Sequence, residues 1–319
     1  MRAVRYHEYG GADVLGVDET ERPTPGDDEV LVEIRAASVN PVDVLFRTGE
    51  YGQFDLPSIP GGDGAGVVTA VGDTVESFEP GDRVFASGMD RATGGTFAEF
   101  AAIPETKLAQ LPDDVSFEVG AALGNVGATA WVALKEVAGI QTGDRVLVHG
   151  GAGGVGHVAV QIAASAGADV VATAGSADAR EHLRRLGAVE TFDYESDSLA
   201  ADVLAATGEN GVETVLDHRL EEYLSLDLQV LTEGGQIICT MGHIPEANGR
   251  PFYDREVRLR ALKMDNRPVR TPILERLVRL VRRDDLTANV AATYAFEDVS
   301  QAHRDVLTGG YVGKLVVTP

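Results

Sequence analysis

Residues 145–157 read RVLVHGGAGGVGH, and this stretch decides the fold of the chain. The apolar, β-branched run before His149 is typical of a buried strand, and the residues after Gly156 keep the apolar spacing of a helix. Gly151, Gly153 and Gly156 form the pattern GxGxxG at this strand-to-helix turn. Such a turn lets a pyrophosphate rest on a helix N-terminus, where unpaired N–H groups and the helix dipole favour negative charge. The stretch therefore predicts a dinucleotide-binding loop.

Outward from this loop, two parts of the chain differ in their pattern of predicted strands and helices. From about Ser116, strands alternate with helices of ten to fifteen residues, which indicates a parallel, doubly wound sheet. Before that point, short apolar stretches separated by Gly, Pro and Asp predict a β-rich domain. One short helix, NPVDVLFRTG, interrupts those strands, with Asn40 as N-cap, Pro41 at the first helical position and Gly49 after the last turn. The closing strand GKLVVTP is expected to rejoin the β-rich domain.

The composition is that of a globular protein with an acidic surface. There are 50 Asp and Glu residues against 27 Lys and Arg, a net charge of -23, and 44% of the residues are hydrophobic. Lys contributes four of the basic residues and Arg the other 23. Such a surface favours a salt-rich, halophilic cytoplasm in which counterions screen the repulsion, with an acidic protein of ordinary salinity as the alternative. Nucleic acid and anionic membranes are not expected as partners.

Cysteine content and apolar runs bear on the compartment. Cys239 is the single cysteine, so no intrachain disulfide is possible, which fits a reducing compartment. The segment MRAVRYHEYGG lacks the apolar core of a signal peptide. The longest uncharged run, residues 146–168, predicts a buried strand, turn and helix rather than a membrane span. We expect a cytoplasmic protein.

The end of the second strand of the doubly wound sheet indicates which dinucleotide is bound. An acidic residue there would accept hydrogen bonds from the ribose 2′-hydroxyl of NAD, but the sequence reads Ala174, Gly175, Ser176. Ser176, Arg180 and, after the third strand, Tyr194 offer donors for a 2′-phosphate, which favours NADPH as the cofactor. Asp178 in the same loop weakens that preference, and Arg180 has a solvated position on its helix as the alternative.

The motifs AASVNPVD, IPGGDGAGVV, GDRVF, ALGNVGATAW, VLVHGGAGGVG and GKLVV occur in this order over almost the whole chain. In this combination the sequence resembles the medium-chain dehydrogenase/reductase superfamily, and within it the zinc-free quinone oxidoreductases related to zeta-crystallin. The resemblance implies an α/β fold with a GroES-like, β-rich catalytic domain and a Rossmann cofactor domain. We expect the first in residues 1–122 and the second in 123–265, with 266–319 forming a helix and returning to the catalytic domain.

The resemblance also implies that no catalytic metal is bound. Zinc-dependent relatives carry a Cys in the segment written here SVNPVD and a His in the segment written GGDGAG, where this chain has Asn40 and Gly62. Asp43 and Asp63 alone make a poor zinc site, because zinc prefers imidazole and thiolate ligands. The structural zinc lobe of those relatives needs four cysteines, which this chain lacks.

Two residues are expected at the catalytic centre from the resemblance. Asn40 is expected to hydrogen-bond the oxygen of the electron acceptor, with the helix cap as its structural alternative. Tyr51 matches a family tyrosine at the substrate entrance, either as a proton donor or as a packing residue. Leu45 and Ser58 stand where relatives carry tyrosines, which predicts a smaller, less aromatic substrate pocket.

Further residues are expected to contact NADPH from the resemblance. In the pyrophosphate loop they are Ala152, Gly153, Gly154 and Val155, and at the adenosine end they are Gly175 and Tyr194. At the nicotinamide end they are Thr129, Met241 and Gly242, and in the closing strand the residue is Lys314. Thr129 has a backbone-bonded helix position as its alternative, and Lys314 a solvated one.

Residues 255–283 carry ten basic and three acidic side chains against the acidic background of the chain. REVRLRALKM alternates like an edge strand, and TPILERLVRLVRR has helical periodicity. The resemblance implies that edge strands of two subunits pair in a homodimer, which would cover the open edge. Ion pairs with acidic surface are the expected partners of these arginines.

The sequence as a whole predicts an NADPH-dependent, zinc-independent reductase of small quinones. A reductase of activated double bonds in enones or enoyl thioesters is the alternative within the same class, because it needs the same metal-free site. A non-catalytic NADPH- and RNA-binding protein is the alternative from another class, which the charge of -23 disfavours.

Overall fold

The computed structural model describes residues 1–89, 94–241, 244–246 and 249–319. The chain divides into two compact units, one formed by Met1–Ala128 with Arg267–Pro319 and the other by Thr129–Asn266. In the described residues, the first unit has a large sheet and a separate two-stranded sheet, and the second unit has one six-stranded sheet.

Strands and helices follow one another along the described part of the chain. The strands are β1 (Arg2–Tyr6), β2 (Leu15–Glu19), β3 (Glu29–Val39), β4 (Asp63–Val71), β5 (Arg83–Ala86), β6 (Phe100–Pro104), β7 (Leu108–Gln110), β8 (Arg145–Val148), β9 (Asp169–Thr173), β10 (Ala188–Phe192), β11 (Val212–Asp217), β12 (Leu231–Cys239), β13 (Arg258–Ala261), β14 (Val290–Ala295) and β15 (Lys314–Thr318). The α-helices are α1 (Pro41–Thr48), α2 (Phe117–Trp131), α3 (Gly154–Ser165), α4 (Ala177–Arg185), α5 (Leu199–Ala206), α6 (Leu220–Val230), α7 (Arg250–Asp254), α8 (Thr271–Val281) and α9 (Val299–Thr308). Short 3₁₀ turns cover Ala12–Val14, Glu105–Lys107, Met264–Asn266 and Phe296–Asp298, and a π-helical turn covers Val132–Ala138.

The first unit is organised around β3. Its sheet has the order β14-β15-β3-β4-β5-β7, and β6 also pairs with β3. The C-terminal strand runs antiparallel to β3, with Leu315 opposite Val39, so the tail is part of this sheet. Ile34, Phe97, Phe296 and Leu315 are buried together in the core that this arrangement creates.

Helix α1 begins and ends where the sequence predicts. Asn40 has the extended backbone of an N-cap, and the Asn40 amide N–H donates to Asp43 Oδ2 at 2.7 Å. Gly49 ends the helix with φ of 80°, a left-handed conformation that favours glycine. The cap therefore uses the carboxylate of Asp43, and the Asn40 side chain also bonds partners outside the helix.

The second unit contains the predicted doubly wound sheet. Its strands are all parallel and have the order β10-β9-β8-β11-β12-β13. With β8 as the first strand, this is the 3-2-1-4-5-6 order of dinucleotide-binding domains, in which the ligand binds where the strand order reverses. The buried side chains of Leu147, Val215, Leu220 and Ile237 form its core. The predicted fold class is confirmed.

Strand β13 lies at the edge of this sheet, as its alternating sequence predicts. The partners of its arginines differ from expectation. Arg258 donates to the carbonyl oxygen of Gly234 at 2.8 Å, and Arg260 donates to the carbonyl oxygen of Val137. Lys263 does form an ion pair, with Asp265 at 3.2 Å. Backbone carbonyls offer acceptors next to the strand, so these arginines need no distant carboxylate.

One helical stretch of the described residues, Phe117–Ala138, is long and apolar enough to span a membrane by length and composition alone. Its most apolar window is 72% buried within the protein, which is typical of a core helix. The uncharged run at residues 146–168 forms β8, the glycine turn and α3, as predicted.

Candidate functional site

The glycine turn between β8 and α3 is closed by contacts that only glycine permits. Gly150 has φ of 58°, and its amide donates to Thr173 Oγ1 at 3.1 Å. The amide of Gly151 donates to the carbonyl oxygen of Thr173 at 2.8 Å. A Cβ on Gly156 would lie 2.3 Å from the carbonyl oxygen of Gly150. The turn is therefore fixed against the end of β9.

The predicted pyrophosphate residues lie at the start of α3. Gly153 is the N-cap, and its amide already donates to the carbonyl oxygen of Gly150 at 2.9 Å. Gly154 and Val155 form the first turn, where backbone N–H groups have no acceptor within the helix. Ala152 lies in the turn just before the cap. This helix end has the amides and the dipole that suit a phosphate group.

The four residues predicted at the adenosine end lie together after β9 and β10. Tyr194 is so near Gly175 that a Cβ there would be 2.5 Å from the tyrosine hydroxyl. The hydroxyl of Ser176 accepts the amide of Ala179 at 3.2 Å and caps α4. The guanidinium of Arg180 is not freely solvated, because it donates to the carbonyl oxygen of Ala174 at 3.0 Å.

Asp193 is a member of this group that the sequence reasoning missed. Arg180 Nη1 lies 2.8 Å from Asp193 Oδ2. The backbone N–H of Glu195, and then the guanidinium of Arg180, hold the pKa of Asp193 below its usual value, so the carboxylate stays charged. Its place directly after the third strand was the available signal. The adenosine end thus carries a carboxylate beside the arginine proposed for a phosphate.

At the nicotinamide end, Thr129 is buried on α2 and Met241 is half-exposed after β12. Gly242 lies outside the described residues. His218, directly after β11, is half-buried, and its Nδ1 lies 2.6 Å from Thr240 Oγ1. Burial lowers the pKa of His218 to about 4, so this ring is neutral at pH 7.

A buried polar cluster lies next to the glycine turn. His149 Nε2 is 2.9 Å from Asp227 Oδ1, and the imidazole stacks on Tyr223 with ring centroids 4.4 Å apart. Asp217, the last residue of β11, accepts the amide of Arg219 at 2.7 Å. The other oxygens, Asp217 Oδ2 and Asp227 Oδ2, have no donor among the described residues. A proton on Asp217 would supply one.

Burial, and then the neighbouring Asp227, raises the pKa of Asp217 to about 6. A histidine before the glycines is the only local signal of this cluster, because Asp227 lies on α6 and Asp217 ends the neighbouring strand.

In the first unit, Asn40 and Lys314 are bonded to each other. Lys314 Nζ donates to Asn40 Oδ1 at 2.7 Å and also to the carbonyl oxygen of Val39. Asn40 Nδ2 donates to Asp63 Oδ2 at 2.8 Å, and the amide of Gly88 reaches Asp63 Oδ1 at 3.2 Å. Lys314 is only 3% exposed, so its solvated alternative is excluded. Burial lowers the pKa of Lys314 to about 8.

Tyr51 and Asn40 lie at opposite ends of α1, whose eight residues span ~12 Å. The ring of Tyr51 packs edge-to-face on Phe46 with centroids 5.1 Å apart, and the side chain is half-exposed. Tyr51 therefore packs on its own helix while part of its side chain stays exposed.

Comparison with known proteins agrees over the whole chain. The family model described as alcohol dehydrogenase GroES-like domain matches residues 26–113, and the one described as zinc-binding dehydrogenase matches residues 154–276. The quinone oxidoreductase of Lama guanicoe is 33% identical over 323 residues, which cover 99% of this chain and 97% of the relative. The chain belongs to the quinone oxidoreductase family of medium-chain dehydrogenases/reductases. It is an oxidoreductase, and the resemblance to this superfamily and to quinone oxidoreductases is confirmed.

Solved structures of two differently titled oxidoreductases share this fold over the whole chain. A structure titled as an NAD-dependent alcohol dehydrogenase superposes with a TM-score of 0.93 at 31% identity. The quinone oxidoreductase of Escherichia coli, complexed with NADPH, has a TM-score of 0.91 at 26% identity. In both cases the match covers 100% of this chain and 100% of the other chain.

One of the two family descriptions names zinc, but the residues at the expected position do not fit this metal. Asn40 and Asp63 offer only oxygen donors, Gly62 has no side chain, and the Lys314 ammonium is hydrogen-bonded to Asn40. A cation so close would repel Zn²⁺, which also prefers nitrogen and sulfur ligands. Among the described residues, no group of three or more His, Cys, Asp or Glu is arranged to hold a metal ion.

We expect Asp217→Asn to change how stability depends on pH. A carboxyl group whose pKa rises from 3.8 to about 6 on folding contributes stability below its ordinary pKa and loses it as pH rises through 6. The Asp217→Asn variant has no such carboxyl group and does not lose this stability. The difference in the free energy of unfolding between variant and wild type should therefore shift in favour of the variant by about 1–3 kcal/mol between pH 4 and 7. Urea denaturation at each pH measures it. Asp197→Asn, at an exposed site, is the control, and a difference that stays constant with pH would contradict the expectation.

We expect Lys314→Met and Asp63→Asn to be coupled. Each single change leaves a buried partner unsatisfied and should lower the free energy of unfolding by about 1–3 kcal/mol. The double variant removes both charges, so it should lose less than the sum of the single losses. Urea denaturation of the four proteins tests this cycle, and losses that add within about 0.5 kcal/mol would refute it.

Proposed function

We propose that this protein is an NADPH-dependent reductase of small quinones that works without zinc. The observation that carries the proposal is the glycine turn at the head of α3, at the point where the order of a parallel 3-2-1-4-5-6 sheet reverses. The family membership and the NADPH complex of the Escherichia coli relative support it. NADPH, when bound, supplies the hydride.

The choice of NADPH rests on the adenosine end. No carboxylate follows β9 directly, and Arg180, Ser176 and Tyr194 are grouped around Gly175. For Arg180 to hold a 2′-phosphate, the phosphate would have to compete with Asp193 for the same guanidinium. A dianionic phosphate makes stronger charge-assisted hydrogen bonds than a single carboxylate does, which favours rotation of Arg180 toward the phosphate. The relative titled as NAD-dependent shows why this choice needs its own test.

Binding of the electron acceptor is assigned to Asn40. Its Oδ1 accepts from Lys314 and one Nδ2 hydrogen is donated to Asp63, which orients the amide and leaves the second Nδ2 hydrogen for an acceptor oxygen. A positioned donor stabilises the negative charge that develops on a quinone oxygen during reduction. The Lys314 ammonium beside Asn40 adds positive potential at this position. Tyr51 is proposed as the proton donor at the substrate entrance.

The remaining expectations from the sequence also stay proposals. The exposed edge at β13 suits pairing with a second subunit in a homodimer. The acidic composition suits a salt-rich cytoplasm.

We expect the purified protein to oxidise NADPH with small quinones, and not with enones or enoyl thioesters, after treatment with a metal chelator. The loss of NADPH absorbance measures turnover against a quinone panel and an enone panel, and elemental analysis measures zinc. Activity on enones alone would replace the quinone assignment by its alternative. Activity with neither panel would favour a non-catalytic binding protein, and loss of activity with removal of stoichiometric zinc would contradict the metal-free proposal.

We expect Arg180→Ala to weaken NADPH binding about tenfold, the loss of one charge-assisted hydrogen bond, and to leave NADH binding unchanged. Asp193→Asn should strengthen NADPH binding, because the competing carboxylate is neutralised. Dissociation constants from fluorescence titration give both values. Arg184→Ala, on the same helix and paired with Glu181, is the matched control. Equal losses for NADPH and NADH in Arg180→Ala would contradict the assignment of the 2′-phosphate.

A further inference from the structure

A chain of hydrogen bonds connects the glycine turn to helix α6. The amide of Gly150 donates to Thr173 Oγ1 at 3.1 Å, and Thr173 Oγ1 lies 3.4 Å from His149 Nδ1. His149 Nε2 lies 2.9 Å from Asp227 Oδ1. Thr173, His149 and Asp227 are each at most 1% exposed, so water does not compete for these bonds.

The chemistry of the groups gives these bonds one direction. For an imidazole that carries one hydrogen, the bond to a carboxylate, which is an acceptor only, places that hydrogen on Nε2. Nδ1 then has a lone pair, which accepts the hydroxyl hydrogen of Thr173. That hydroxyl oxygen in turn accepts the Gly150 amide. Each donor in the chain therefore meets one acceptor.

Helix α6 also fixes the plane of the imidazole. Tyr223 and Asp227 are four residues apart on α6 and lie on the same face. The His149 ring stacks on Tyr223 with an angle of 5° between the planes. Stacking sets the ring plane and Asp227 sets its rotation within that plane, so Nδ1 is directed at Thr173.

We propose that His149 and Thr173 are positioning residues of the dinucleotide loop. They hold the Gly150 amide in place, and with it the left-handed turn from which α3 presents its N-terminal amides to the pyrophosphate. The inference rests on the proposed function, because it assumes that this loop binds a dinucleotide. It predicts that affinity for the cofactor depends on a hydroxyl group that does not touch the cofactor.

The test compares Thr173→Val, which keeps the shape of the side chain, with Thr173→Ser, which keeps its hydroxyl. We expect Thr173→Val to raise the dissociation constant of NADPH about threefold to tenfold and Thr173→Ser to stay near the wild type. Thr191→Val is the matched control. Thr191 is also a buried strand threonine of this sheet, and its hydroxyl has no hydrogen-bond partner among the described residues.

A second measurement needs no ligand. Hydrogen exchange should become faster at the Gly150 amide in Thr173→Val, because its acceptor is lost. The Gly151 amide keeps the backbone carbonyl of Thr173 and should exchange as before. Faster exchange at both amides would indicate general loosening of the fold and would overturn the proposal.

The binding results separate this inference from the function on which it rests. If the wild type binds NADPH and Thr173→Val binds it equally well, the inference is overturned and the proposed function stands. If Thr173→Ser is as weak as Thr173→Val, shape rather than the hydroxyl matters, and the inference is again overturned. If the wild type binds neither nicotinamide dinucleotide, the proposed function fails and the inference fails with it.

Discussion

The close approach of Gly156 to the carbonyl oxygen of Gly150 is the constraint on which the nucleotide-binding unit depends. No side chain fits there, since a Cβ would lie 2.3 Å from that oxygen. The contact brings the first turn of α3 against the end of β8, and the amides of Gly154 and Val155 are presented at the position where the sheet order reverses. Geometry that favours an anion thus follows from the absence of a side chain at Gly156.

Local sequence was sufficient to predict the elements, because their signals are local. Strand β8, the glycine turn, α3, the helix capped at Asn40 and the edge strand β13 all have periodicity or cap residues that specify them. The partners of the charged side chains were not predictable in this way. Arg180 pairs with Asp193 from the next strand, and Lys314 bonds Asn40 across 274 positions of the chain. Such pairings depend on register and packing, which one sequence does not show.

Both units keep charged groups in their interiors, where burial costs free energy. In the first unit, the costs are offset by hydrogen bonds that Asn40 makes at both ends of its amide, to Lys314 and Asp63. In the second, one oxygen of the Asp227 carboxyl is bonded by His149, and the other has no donor among the residues that the structure describes. Replacement by apolar residues would often be as stable or more so, so stability alone does not account for these groups. Their location accounts for them better, because the first group includes Asn40 and the second lies next to the glycine turn, the two places where binding is proposed.

The cap of α1 joins a structural role and a chemical role at one residue. The side chain of an N-cap asparagine normally accepts a hydrogen bond from the first turn of its own helix. Here Asp43 supplies its carboxylate to the Asn40 amide N–H, and the Asn40 side chain also bonds partners outside the helix. Lys314 bonds its oxygen and Asp63 accepts from its nitrogen, so its orientation is determined by the sheet as well as by the helix. An amide fixed in this way loses little entropy when it binds an acceptor oxygen, which is the advantage that a preorganised donor has over a mobile one.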